Sequence, residues 1–187
     1  IMDKLKFGIK NVHVFPIESM TVGVPSYGNP IAIPGAVSYS ASAQGDINKF
    51  YADNIVYYQS ASNNGYEGDL TVALIPDEFY KEVFGQTPDD NGIYTENANV
   101  EAKAFAMTFE EEGDQTGTKF VMYNCTATRP SRELNTIEDS KTPTTQALTV
   151  SAAPLQSGEV LAMTSATTPA EVLNSWHESV YISGGSF

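Results

Sequence analysis

Apolar and polar side chains alternate along most of this chain, which is the period of a half-buried strand. Residues 36–43 (Ala36-Val37-Ser38-Tyr39-Ser40-Ala41-Ser42-Ala43) alternate with small side chains, and Gln44-Gly45-Asp46 reads as a turn. Ile55-Val56-Tyr57-Tyr58-Gln59 is β-branched and aromatic and favours a strand. Asn63-Asn64-Gly65 supplies residues that tolerate the positive φ of a tight turn. Residues 66–75 predict the next strand, with Leu70, Val72 and Leu74 on one face. Phe105, Met107 and Phe109 then alternate with Ala104, Ala106 and Thr108. A turn comes next over 111–117, and a return strand over 119–128 ends at Arg129-Pro130. Residues 144–153 and 159–164 predict a last hairpin across 154–158.

The period changes twice. Pro76 with Asp77 and Glu78 opens a helix over 76–84, with Phe79, Val83 and Phe84 on one side and Gly85 as its left-handed stop. Thr168, Pro169 and Glu171 form a capping-box sequence that opens a helix over 169–181, with Val172, Leu173, Trp176 and Val180 as its apolar stripe. Residues 22–34, 40–54, 86–99 and 131–142 lack periodicity and read as loops or arms. Seven or eight strands with two short helices predict an antiparallel β-sandwich or barrel. The expected organisation is one domain over 4–181, with flexible termini at 1–3 and 182–187.

Charge and composition narrow the function. The 187 residues carry a net −13. Residues 67–114 hold 13 acids against two bases, Lys81 and Lys103, so −11 of that charge lies in one segment. Such a balance argues against gripping nucleic acid or an anionic membrane, both of which need clustered Lys and Arg. A hydrophobic share of 41% argues against disorder. One cysteine excludes an internal disulfide framework, and its mid-strand position predicts that Cys125 is a buried structural thiol. No apolar run reaches membrane-spanning length, and Met2-Asp3-Lys4-Leu5-Lys6 leads into no signal-peptide core, so an intracellular, soluble product is expected.

Enzyme signatures are missing. His13 and His177 stand at opposite ends, and no His-Glu-x-x-His, phosphate-binding glycine loop or Gly-x-Ser-x-Gly elbow occurs. Asp46-Ile47-Asn48 lacks the Gly and Glu that a calcium loop requires. No catalytic residue, metal site or cofactor is therefore expected. Trp176 on its helical stripe reads as core.

Five blocks in order carry a resemblance. They are Lys4-Leu5-Lys6-Phe7-Gly8-Ile9-Lys10-Asn11-Val12-His13, Gly45-Asp46-Ile47-Asn48-Lys49-Phe50-Tyr51-Ala52-Asp53-Asn54, Asn63-Asn64-Gly65-Tyr66-Glu67-Gly68-Asp69-Leu70, Leu74-Ile75-Pro76-Asp77-Glu78-Phe79 and Tyr123-Asn124-Cys125-Thr126-Ala127-Thr128-Arg129-Pro130. Together they resemble the major tail proteins of long, non-contractile-tailed phages and prophages of Gram-positive bacteria. The resemblance implies a structural virion protein whose hexameric rings stack into a tube through which DNA passes. It also implies a β-sandwich whose sheets join across subunits, with a flanking helix and arms reaching the next ring. Some members append an immunoglobulin-like domain, which is not expected here.

On that basis Glu67, Asp69, Glu101, Glu110, Glu111, Glu112 and Asp114 are candidates to face the tube lumen, where carboxylates would repel passing phosphates. Lys4, Lys6, Lys10, Asp46, Lys49, Asp53, Asp89, Asp90, Arg129 and Arg132 are candidates for contacts within or between rings. The partners implied are the chain itself and the tape-measure, terminator and baseplate proteins, with DNA only as cargo and no membrane. The site of action implied is the virion tail, after synthesis in the host cytoplasm. The alternative is a non-enzymatic surface- or carbohydrate-binding module that uses exposed tyrosines.

Overall fold

A computed structural model describes residues 8–113, 117–132 and 144–183. The chain forms β1 (Gly8–Thr21), β2 (Val24–Tyr27), β3 (Ile31–Ile33), β4 (Ala36–Gln44), β5 (Ile47–Ala52), β6 (Ile55–Ala61) and β7 (Gly65–Val72). Then come α1 (Asp77–Phe84), β8 (Phe105–Glu112), β9 (Lys119–Ala127), β10 (Gln146–Ala152), β11 (Leu161–Met163) and α2 (Ala170–Ser175). The fold is mainly antiparallel β with two short helices, as the alternation predicts. Nine strands form one sheet in the order β2-β1-β8-β9-β10-β7-β4, with β3 on β1 and β11 on β9; β5 and β6 form a separate ribbon. The sheet curls, so that β4 at the end of the order approaches β1 although no ladder joins them among the described residues.

The core fills the inside of that curl. Val12 and Val14 of β1, Leu70 and Val72 of β7, Phe105 and Met107 of β8, and Leu148 and Val150 of β10 point into it. Ile75 and the α1 residues Phe79, Val83 and Phe84 join the same cluster. Phe79 meets Phe105 and Phe84 edge-on, at centroid distances of 5.9 and 5.5 Å. α1 stops where expected: Gly85 takes φ +64 and its N–H bonds the Tyr80 carbonyl. Cys125 is fully buried in this cluster, and burial pushes its thiol up to about 12. Gly68 has its own steric reason, because a Cβ there would lie 1.8 Å from the Ser40 carbonyl oxygen on β4.

A second apolar layer covers the opposite face of β8 and β9. Phe15, Ala106, Val121, Tyr123, Leu155 and Trp176 form it, with Val172, Val180 and Tyr181 alongside. Successive β8 residues thus serve different layers: Phe105 and Met107 face the inner core, while Ala106 faces the outer layer.

Four expectations change. First, 47–52 is strand, not loop: β5 pairs with β6 from Ile47↔Ala61 to Ala52↔Ile55 around a two-residue turn at Asp53-Asn54 with φ +53 and +62. The ribbon exposes both faces, so no buried face imposes a period to read. The strand count rises further because β2 and β3 lie in the arm over 22–34.

Second, β10 and β11 do not pair as a hairpin. Both run antiparallel to β9, with Val150–Ala152 opposite Cys125–Ala127 and Leu161–Met163 opposite Phe120–Met122. They form one edge interrupted by 153–160, where Pro154 has no N–H to donate to a ladder.

Third, the second helix ends at Ser175 rather than 181; the Ser175 hydroxyl donates back to the Glu171 and Val172 carbonyls at 3.1 and 3.3 Å, which weakens the last turn. The capping box does not form; the Thr168 hydroxyl instead accepts from Ser165 N–H at 2.9 Å and closes the turn before the helix. Fourth, β7 ends at Val72, so Leu74 is exposed and Ile75 takes the buried place.

Candidate functional site

The candidate lumen acids fall in three places. Glu67 and Asp69 are exposed on β7, opposite Ser42 and Ser40 of β4 and Ser151 and Thr149 of β10. The Thr149 hydroxyl donates to Asp69 Oδ1 at 2.7 Å. Three strands therefore present one face of small hydroxyls bearing two carboxylates, with no bulky or basic side chain at those paired positions. Glu111 and Glu112 end β8, opposite Ile9 and Gly8, and exposed Glu101 precedes that strand. Asp114 lies outside the described residues.

Glu110 is 7% exposed, and its carboxylate has partners inside the subunit. Oε1 accepts from Lys119 Nζ at 2.9 Å and lies 2.8 Å from His177 Nε2; Oε2 lies 3.7 Å from Lys10 Nζ. Burial works to raise this carboxyl, but bonding and charge from Lys119 and His177 outweigh it and hold the group below the usual range. His177 Nδ1 is 3.0 Å from the Thr108 hydroxyl, and its ring stacks on His13 at 4.8 Å. Burial pushes the His177 imidazole below its ordinary value, against the pull of Glu110. Sequence reasoning missed this cluster. One signal was present: Thr108 and Glu110 continue the Ala106 face of β8. Nothing local indicated that the two histidines meet.

The contact candidates also divide. Lys4 and Lys6 lie outside the described residues. Lys10 faces Glu110, and Arg129 Nη1 pairs with Glu96 Oε1 at 2.7 Å, tying the 86–99 loop to the end of β9. Asp89 folds its own loop: Oδ1 accepts from Ile93 N–H and Asn91 N–H at 2.9 Å each, which holds its carboxyl below the usual range. Exposed Asp90 sits beside it. Arg132 lines a cleft of about 570 Å³ with Leu74, Tyr80, Tyr94 and Gln146. Asp46 marks the ribbon base, where its N–H donates to the Ser62 hydroxyl at 2.9 Å; Lys49 lies mid-ribbon opposite Gln59, and Asp53 is at the tip.

The ribbon carries an unusually apolar surface. Ile47, Phe50, Tyr51, Ile55, Val56, Tyr57 and Tyr58 are all exposed, Tyr57 by 73%. A two-stranded hairpin is marginal in water by itself, and a contiguous apolar surface of this kind marks an interaction site.

No curated protein matches the chain. Among solved structures, it is similar to the tube-terminating cap of the anti-feeding prophage, with a TM-score of 0.44 and 11% identity over 88% of this chain and 96% of that one. It is also similar to a chain of the six-fold symmetrised baseplate of the same particle, with a TM-score of 0.43 and 9% identity over 90% and 99%. Residues 3–180 match the profile of a family described as phage tail tube protein. That match spans nearly the whole chain, which therefore belongs to the phage tail tube protein family and is a structural protein of the virion tail.

Proposed function

We propose that this chain is the repeating subunit of the tube itself, in a long non-contractile tail of a phage or prophage of Gram-positive bacteria. Copies close into hexameric rings, the rings stack, and DNA passes along the bore. The exposed apolar ribbon is the observation that carries this reading: it gives each subunit a surface that the described residues of its own chain leave uncovered and that a neighbouring copy can cover. A patch that meets a different patch on its neighbour builds rings and stacks rather than closed pairs. β4 adds a second route, since among the described residues it pairs with β7 alone and its other edge carries no ladder.

In this reading the Glu67 and Asp69 face, flanked by hydroxyls, turns to the bore. DNA then meets fixed negative charge and no Lys or Arg to hold its phosphates. Asp46, Lys49, Asp53, Asp89, Asp90 and Arg132 are the charges available between copies, whereas Lys10 and Arg129 have partners within the subunit. Tape-measure, terminator and baseplate proteins meet the tube along its bore and at its two ends.

The test is sedimentation and negative-stain microscopy of concentrated wild type beside Tyr57→Asp, which places a charge in the middle of the ribbon. Wild type is expected to form rings or tubes, and the variant to remain a folded monomer. Equal assembly of both would refute the role given to the ribbon.

A further inference from the structure

The segment over 169–183 crosses the outer face of β8 and β9 with little helix of its own to hold it. None of the α2 residues is fully buried, so docking rests on the residues beyond Ser175. Trp176 is 3% exposed, donates its indole N–H to the Phe120 carbonyl at 3.1 Å and stacks on Tyr181 at 5.7 Å. Its neighbour His177 is the polar anchor. From β8, Glu110 and Thr108 take its two ring nitrogens; from β1, His13 stacks on the ring and Lys10 reaches the same carboxylate; from β9, Lys119 shares Glu110 Oε1. Lys119 also donates to the Leu173 carbonyl at 2.8 Å, a second tie to the segment. Glu171 and Glu178 of the segment itself are exposed.

Charge in this cluster is unbalanced before His177 titrates. Among the described residues, Lys10 and Lys119 face the carboxylate of Glu110, so these three groups sum to +1 with His177 neutral. A proton on His177 makes the sum +2. The cluster's one carboxylate is already shared between two ammonium groups. With His13 stacked on its ring at 4.8 Å, a protonated His177 cannot move away from those ammonium groups while the segment stays docked.

We infer that the C-terminal segment is an acid-released strap, docked on the β8–β9 face while His177 is neutral and lifted from it when His177 takes a proton. The sign agrees with the environment of His177. Burial lowers its imidazole, so its contribution is complete above the unfolded value of about 6.5 and is lost as pH falls toward the lower folded value. The working window therefore lies below about pH 6.5. Release uncovers Phe15, Ala106, Val121, Tyr123 and Leu155. This inference goes beyond the tube reading and does not depend on it.

Trp176 is the sole tryptophan and so reports on the strap directly. Emission and acrylamide quenching of dilute full-length protein are tracked from about pH 8 to about pH 5, with far-UV circular dichroism alongside. Wild type is expected to show a red shift and a rise in quenching below about pH 6.5 while its β signal persists. H177Q, whose amide can keep both hydrogen bonds without titrating, is expected to lack the transition. Unchanged emission in wild type, or the same transition in H177Q, overturns the inference. If H177Q fails to fold, K10Q decides: Lys10 is half-exposed, and removing its ammonium from the cluster must move the midpoint to lower pH, so an unmoved midpoint overturns the inference.

Discussion

Replacing Glu110 by Gln keeps the shape of the buried side chain and removes its charge. The ammonium of Lys119, whose side chain is 18% exposed against 9% for Glu110, would then face a neutral amide 2.9 Å away, with the Lys10 ammonium still nearby. Removing one member of a fully buried ion pair costs about 3–5 kcal/mol, whereas an exposed pair contributes about 0–1 kcal/mol. This pair is nearly but not wholly enclosed, and the amide retains one hydrogen-bond acceptor. A loss of about 2–3 kcal/mol is therefore expected. For a domain of this size that corresponds to a fall in Tm of about 5–10 °C. Urea unfolding at pH 7, monitored by circular dichroism, measures the loss as a shift in midpoint at constant slope. The carboxyl lies below its ordinary value, so its contribution is present above about pH 4.5 and fades as pH falls further. The gap between wild type and variant must narrow accordingly in acid. A difference below about 0.5 kcal/mol at pH 7 would refute the claim that this carboxylate is a structural centre of the subunit.

Other changes have equally definite outcomes. Val22 sits in a turn with φ +51, a conformation that a β-branched residue adopts only under strain, and its side chain is 95% exposed. Val22→Asn is expected to raise stability by about 1 kcal/mol in the same urea assay; a loss would show that the side chain makes a contact worth more than the strain. Cys125 is expected to resist thiol reagents in native protein at pH 8 and to react fully in denaturant, since its thiol is buried and pushed up to about 12. Phe79→Ala is expected to cost about 3–5 kcal/mol in that assay, because Phe79 is fully buried between β8 and the rest of α1.

How legible each segment is in the sequence depends on how much of it is buried. β7, β8 and β9 bury at least one face, so their alternation is sharp. α1 carries its own start and stop in Pro76, Asp77, Glu78 and Gly85. The ribbon left no such trace on β5, because Phe50 and Tyr51 are adjacent and both exposed. β10 and β11 look like a hairpin in sequence, since two strands joined by a short turn usually pair. Only the ladder with β9 shows that they share one edge. The burial of Glu110 is hidden in the sequence because it sits in a run of acids, Glu110-Glu111-Glu112, that suggests one solvated patch. The pleat sends alternate members to opposite faces, and burial ends at Glu110. The meeting of His13 with His177 is a product of tertiary folding over most of the chain's length, and no local pattern encodes it.

The central claim is that these subunits form a tube with an acidic bore. A cryo-electron microscopy reconstruction of assembled wild-type protein tests it most directly. The expected map shows stacked six-fold rings, the β5–β6 ribbon covered by a neighbouring copy, and Glu67 and Asp69 of β7 lining the channel. A map with the β7 carboxylate face on the outside, or with lysines and arginines lining the bore, would contradict the account.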